Sequence, residues 1–365
     1  FLTMMPTISL NKSYRISRII KGGWQLSGDH GEVKADRAVQ DMVRFVEAGV
    51  TAFDCADIYN GVEELIGRFR VELYRQHGAD ALRDIRIHTK FVPDRDNLAH
   101  MTFSDVQAIV DRSLRRLGQE QLDLVQFHWW DYQVPNYIET LHHLERLREK
   151  GKIALIGVTN FDGTRLEELN REVDIASAQV QFSLLDRRAS GDFADIAKKN
   201  KITLLCYGVL AGGFLTDDWL GRSDPGYHFT NRSLVKYRLI IDEFGGWSLF
   251  QELLFCLRKI ADNHECDIAS IALSATLESS DVGAVIVGAR YADRMNQTLK
   301  AFDLKLSDAD HGSLDAILSQ RKGPNGPVYE LERDITGPHG RIMKYNLNKG
   351  DESQFQATPL VENSQ

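Results

Sequence analysis

Four polar residues of this chain could share a single proton transfer: Asp54, Tyr59, Lys90 and His128. A phenol donates a proton usefully when its conjugate base is held, and a neighbouring ammonium does this by lowering the tyrosine pKa from its reference of about 10. Lys90 next to the carboxylate of Asp54 would keep its charge at a buried position, which makes Tyr59 the proton donor. His128 can hydrogen-bond the same acceptor oxygen and orient it. Such a set suits delivery of a proton to an alkoxide. Taken singly, each residue has a plainer reading: a packing tyrosine, an aspartate capping a turn or helix, a surface lysine, a satisfied core histidine. Their joint placement is what argues for chemistry.

The elements that must position them are short β-branched runs alternating with longer amphipathic stretches, from about Arg18 to Phe302. This is the pattern of repeated βα units around a parallel sheet. Eight runs read as strands: Ile19–Trp24, Thr51–Asp54, Ile85–Lys90, Leu122–His128, Ile153–Thr159, Ile175–Gln181, Thr203–Tyr207 and Val282–Val287. Helices are expected over Ala35–Ala48, Val62–Tyr74, Phe103–Leu117, Tyr137–Lys150 and Phe193–Asn200, where apolar residues recur every third or fourth position. Gly49 and Gly151 stand where two of these should stop.

In a parallel barrel the strand C-termini form the active face. Asp54, Lys90 and His128 end the second, third and fourth strands, and Tyr59 follows Asp54 by five positions. The expected fold is therefore α/β, a single-domain (β/α)8 TIM barrel over 18–322, with an N-terminal extension over 1–17 and a C-terminal tail over 323–365. The stretch Gly208 to Asp281 is too long for a simple crossover and reads as an extended loop before the eighth strand, plus helices over Trp247–His264 and Ile268–Glu278. Pro324, Gly326, Pro327, Gly337, Pro338 and Gly340 break up the tail, which should wrap the barrel or be disordered.

The 365 residues, 43% of them hydrophobic, suffice for one large barrel. A net charge of −8 argues against a general nucleic-acid surface. No apolar run reaches the roughly 20 residues that span a bilayer, so no membrane partner is expected. Cys55, Cys206, Cys256 and Cys266 form no CxxC pair and no metal-ligand spacing, so neither a metal nor a disulfide framework is indicated. A cytoplasmic location is the expectation, with a removed targeting peptide left open. Neither GxGxxG after the first strand nor GxxxxGK occurs, so a Rossmann site and a P-loop both lack their phosphate cradle.

Over roughly Arg18 to Phe302 the sequence resembles the aldo-keto reductases. The stretch Phe53-Asp-Cys-Ala-Asp-Ile-Tyr-Asn-Gly-Val-Glu-Glu-Leu-Ile-Gly is similar to a family signature in which an aspartate and, five residues on, the catalytic tyrosine occupy the places of Asp54 and Tyr59. The resemblance likewise implies that Lys90 in His-Thr-Lys-Phe and His128 in Leu-Val-Gln-Phe-His complete a catalytic tetrad. It implies nicotinamide contacts from Thr159, Asn160 and Gln181, with Tyr207 stacked on the ring and Trp24 nearby. Val287-Gly-Ala-Arg-Tyr is similar to the family's phosphate-binding segment and implicates Gly288, Arg290 and Arg294. Two guanidinium groups suit a ribose phosphate, which points to NADP(H). Arg294, Gln297 and Thr298 depart from the family's usual adenine contacts.

The expected function is NADP(H)-dependent reduction of a small aldehyde or ketone, with Trp24, Trp129 and Trp130 as candidates to line the substrate pocket. A homo-oligomer is left open. The competing readings are a cofactor-binding regulatory subunit similar to potassium-channel β subunits, and, more remotely, a Schiff-base lyase using Lys90.

Overall fold

The computed structural model describes residues 5–27 and 32–348. A short antiparallel pair, β1 (Thr7–Ser9) and β2 (Arg15–Ser17), precedes a closed barrel of parallel strands. Its strands are β3 (Ile19–Gly22), β4 (Ala52–Asp54), β5 (Arg86–Phe91), β6 (Leu122–Phe127), β7 (Ile153–Thr159), β8 (Ser177–Gln181), β9 (Thr203–Tyr207) and β10 (Ala284–Gly288), and β10 pairs with β3 to close the circle. Every run read as a strand from the sequence is a barrel strand, with ends that differ by a residue or two. At the first of them the Gly23 N–H gives the last rung to the Asp54 carbonyl at 2.7 Å, beside the Gly22–Asp54 pair, and the 3-10 turn that begins at Trp24 ends the strand.

Helices cover the outside of the barrel at Ala35–Glu47, Val62–His77, Phe103–Leu117, Tyr137–Glu149, Gly163–Glu172 and Asp192–Lys199. Local chemistry sets their ends. Thr102 and Asp105 form a reciprocal capping box at the start of Phe103–Leu117, satisfying donors that the first turn leaves open. Gly49 and Gly151 take φ of +90° and +79° just past two other helices, conformations that a Cβ penalises. Gly163–Glu172 was not evident from the sequence because only Leu166 and Leu169 of its ten residues are buried.

Strand alternation sends every second side chain into the barrel. Ile20, Ala52, Leu124, Leu205, Ala284 and Ile286 fill its lower interior together with Leu10, Tyr14 and Ile16 from the β1–β2 region. The described part of the N-terminal extension is thus a plug for the barrel floor. A second apolar core lies beyond the seventh barrel strand, where Ile240, Ile241 and Phe244 of the helix Arg232–Phe244 pack with Phe250, Leu253 and Leu257 of the helix Trp247–Asn263 and with Ile271 of Ile268–Leu277. The extended loop therefore carries helices with a core of their own, one helix more than the sequence reading recognised. The tail over 323–348 is ordered against the barrel mouth, with short helices Glu330–Arg333 and Pro338–Arg341; the rest of the tail lies outside the described residues.

Candidate active site

Asp54 and Lys90 lie on the neighbouring strands β4 and β5, one at a strand end and the other next to it. Both face the barrel interior at 4% and 5% exposure, and the Lys90 Nζ donates to Asp54 Oδ2 at 2.6 Å and to the Cys55 carbonyl at 2.8 Å. The other Asp54 oxygen accepts from Gln126 Nε2 at 3.1 Å and Gln179 Nε2 at 2.7 Å. An ionised carboxylate this deep needs such a shell of donors. Burial works against the Lys90 charge, but Asp54 and the nearby Tyr59 oxygen outweigh it and raise its pKa above the ordinary lysine value. Gln126 and Gln179 were not singled out from the sequence, although their parity on β6 and β8 already directs them inward.

Tyr59 is half-buried in the loop after β4, with the Lys90 ammonium 4.9 Å from its ring centroid and the Trp24 ring edge-on at 4.9 Å. Lys90 pulls its pKa down, as the sequence suggests. Burial pushes it up by more, so the net direction is upward. The phenol therefore stays protonated at neutral pH, ready to donate once a bound partner develops negative charge.

His128 directly follows β6 and is 2% exposed. Burial, with Arg333 adding to it, lowers its pKa to about 3, so the ring is neutral. Its Nδ1 lies 3.1 Å from the Thr159 carbonyl, a pure acceptor, and so carries the ring proton. Nε2 is then a lone pair, buried and without a hydrogen-bond partner. With this tautomer the ring offers an acceptor at the mouth, suited to a hydroxyl. Trp130 stands edge-on to His128 at 4.3 Å and borders the site. Trp129 does not; it is fully buried and packs against Phe127 and Tyr137.

The nicotinamide contacts implied by resemblance converge on the ends of β7, β8 and β9. Asn160 follows β7 with φ of +63°, a conformation that asparagine tolerates better than most residues, and its Oδ1 accepts from the Tyr207 hydroxyl at 2.8 Å. Gln181 donates Nε2 to Asp186 at 2.7 Å, which fixes its amide orientation and leaves Oε1 buried and unpartnered. An unsatisfied acceptor of that kind fits the N–H of a carboxamide, so these residues fit a nicotinamide. Toward the phosphate end, Gly288 is exposed at the end of β10 with the Gln25 side chain lying against it. Arg290 is half-buried. Arg294 is far more open, on an exposed turn with Asp218 at 3.5 Å.

The tail closes the mouth. Adjacent residues Glu332 and Arg333 grip two different walls: the Glu332 carboxylate takes both terminal nitrogens of Arg188, which also binds Asp186, while Arg333 donates to the carbonyls of Trp129, Trp130 (2.9 Å) and Asn160 (2.7 Å). Tyr329 sets its ring edge-on to His128 at 5.7 Å. Glu332 is fully buried; burial would raise its pKa, but Arg188 and then Lys236 bring it down to about 2. Glu332 and Arg333 were not legible as site components, since their side-chain hydrogen-bond partners lie more than 140 positions away in sequence.

Fold and site together define a (β/α)8-barrel protein whose ionisable groups gather at the C-terminal mouth of the strands. The sequence pattern of the aldo/keto reductase family matches residues 18–319, and the chain belongs to that family of oxidoreductases. It is 25% identical over 317 residues to the NADH-specific methylglyoxal reductase of Escherichia coli, covering 81% of this chain and 92% of that one. It is 26% identical over 286 residues to the aldo-keto reductase yakc [NADP(+)] of Schizosaccharomyces pombe, covering 76% and 80% of the two chains. Among solved structures, a glycerol dehydrogenase from Gluconobacter oxydans superposes with a TM-score of 0.70 at 23% identity, covering 88% of this chain and 97% of that one, a likeness of fold.

Proposed function

We propose that this protein reduces an aldehyde or ketone to an alcohol with NADPH, Tyr59 acting as general acid. The observation that carries the reading is the buried Lys90–Asp54 pair set against the ring of a phenol that burial keeps protonated. A bound nicotinamide would supply the hydride. As negative charge grows on the substrate oxygen, the Tyr59 hydroxyl gives up its proton, and the Lys90 ammonium stabilises the phenolate left behind. Asp54 fixes Lys90 and is itself fixed by Gln126 and Gln179. His128, through its Nε2 lone pair, can accept the hydrogen bond of the new hydroxyl only once the proton has passed from Tyr59.

Trp24, Thr159, Asn160, Gln181 and Tyr207 would hold the nicotinamide end, and Gly288, Arg290 and Arg294 the phosphate end. Relatives at similar identity are named for opposite cofactors, so the choice of NADPH rests on the two arginines. The test is a fluorescence titration with NADPH and NADH, followed by an aldehyde panel. NADPH should bind more tightly, and Arg290→Ala should weaken NADPH about tenfold while leaving NADH nearly unchanged. Equal affinity for both cofactors, indifferent to Arg290, would overturn the preference. Tight binding of cofactor with no turnover across the panel would favour the regulatory-subunit reading.

A further inference from the structure

Lys236 is the one cation of the closed mouth that makes no side-chain hydrogen bond or ion pair within 4 Å among the described residues; Glu332 and Asp186 act on it only at longer range. The ammonium of this half-buried residue stands 5.0 Å from the ring centroid of Tyr207, 5.6 Å from Tyr237 and 5.8 Å from Tyr329, contacts that use none of its three N–H donors and leave them open to a ligand. Tyr329 also touches His128, so Lys236 and the imidazole are one ring apart. The charges around it do not cancel. Asp186 and Glu332 are both held by Arg188, and Arg333, the third cation of the cluster, is tied to backbone carbonyls and keeps a buried Nε–H without a partner. In a protein whose net charge is −8, an excess positive charge beside the imidazole marks a place for an anion.

We propose that Lys236 binds an anionic group, and that this group belongs to the substrate: a carbonyl compound carrying a carboxylate or similar anion within reach of the reacting carbon. The inference rests on the reductase reading above and names its substrate class. The other source of an anion at this mouth is the cofactor's own pyrophosphate. The substrate is favoured because Lys236 approaches His128 across Tyr329, whereas Gly288, Arg290 and Arg294 lie at the end of a different strand.

The test uses 4-formylbenzoate and its methyl ester, a pair matched in shape and differing in charge. Each is titrated into the NADP+ complex of the full chain, where no reduction occurs, following tryptophan fluorescence; kcat/KM with NADPH is measured separately. The carboxylate should bind the wild type more tightly than the ester. Lys236→Met should weaken the carboxylate about tenfold, with the ester and the cofactor each within about twofold, and Lys236→Arg should restore most of the preference. Equal losses for carboxylate and ester would overturn the proposal. So would a loss confined to cofactor affinity, which would assign Lys236 to the pyrophosphate. Charge-selective binding without turnover would instead sink the reductase reading and leave the anion site standing.

Discussion

Replacing Lys90 by methionine removes a buried cation while keeping most of its volume, and the structure indicates what is left behind. The Asp54 carboxylate would remain at 4% exposure with only the amides of Gln126 and Gln179, at 3.1 and 2.7 Å, in place of an ion pair at 2.6 Å. Breaking a buried pair by deleting one partner costs about 3–5 kcal/mol. The two remaining amide donors put the expectation at the low end, about 3 kcal/mol at pH 8. The pH dependence has a definite sign. Without its counter-ion the buried Asp54 should bind a proton more readily in the folded than in the unfolded state, so the deficit should shrink as pH falls from 8 toward 5. In the wild type Lys90 has a raised pKa, so its contribution is fully present below the ordinary lysine value and is lost only as pH climbs through the folded one. Urea unfolding of wild type, Lys90→Met, Asp54→Asn and the double variant at pH 5 and pH 8 measures all of this. The double variant should be more stable at pH 8 than Lys90→Met alone, because it no longer buries a lone charge. A Lys90→Met protein as stable as wild type at pH 8, or a double variant with simply additive losses, would refute the pairing argument.

Two further outcomes follow from groups at the closed mouth. Glu332→Gln should destabilise the fold by about 3 kcal/mol, because it leaves Arg188 with one carboxylate instead of two at a nearly fully buried site, and it should expose the tail to limited proteolysis. Since the Glu332 pKa is held down to about 2, its contribution in the wild type is present above the ordinary glutamate value and should fade as pH falls from about 4.5 toward 2, readable as acid sensitivity that the variant lacks. His128, with its pKa lowered to about 3, should show nitrogen chemical shifts of a neutral ring protonated on Nδ1 and unchanged between pH 5 and pH 8; an ordinary titration near neutrality would contradict its burial.

What could be read in the sequence follows from how local the cause is. Strand alternation and the short runs between helical stretches depend on neighbours, so β3–β10 and the inward direction of Asp54 and Lys90 were legible. The helix stops at Gly49 and Gly151 were legible for the same reason. The plug of the barrel floor was not, because β1 and β2 are three residues each and gain their meaning only from the interior they cover. The closing of the mouth was hidden because Glu332 and Arg333 sit among prolines and glycines, and their partners come from the segments that follow β6, β7 and β8. The protonation state of His128 required the third dimension too: it depends on which ring nitrogen meets the Thr159 carbonyl.

The central claim is that Tyr59 donates the proton, and Tyr59→Phe tests it most directly, since it removes one oxygen and keeps the ring that packs against Trp24. With NADPH binding measured on the same samples, the account predicts affinity within about twofold of wild type and a kcat lower by about 10²–10⁴ on any aldehyde the wild type reduces. Unchanged turnover with cofactor bound would contradict it.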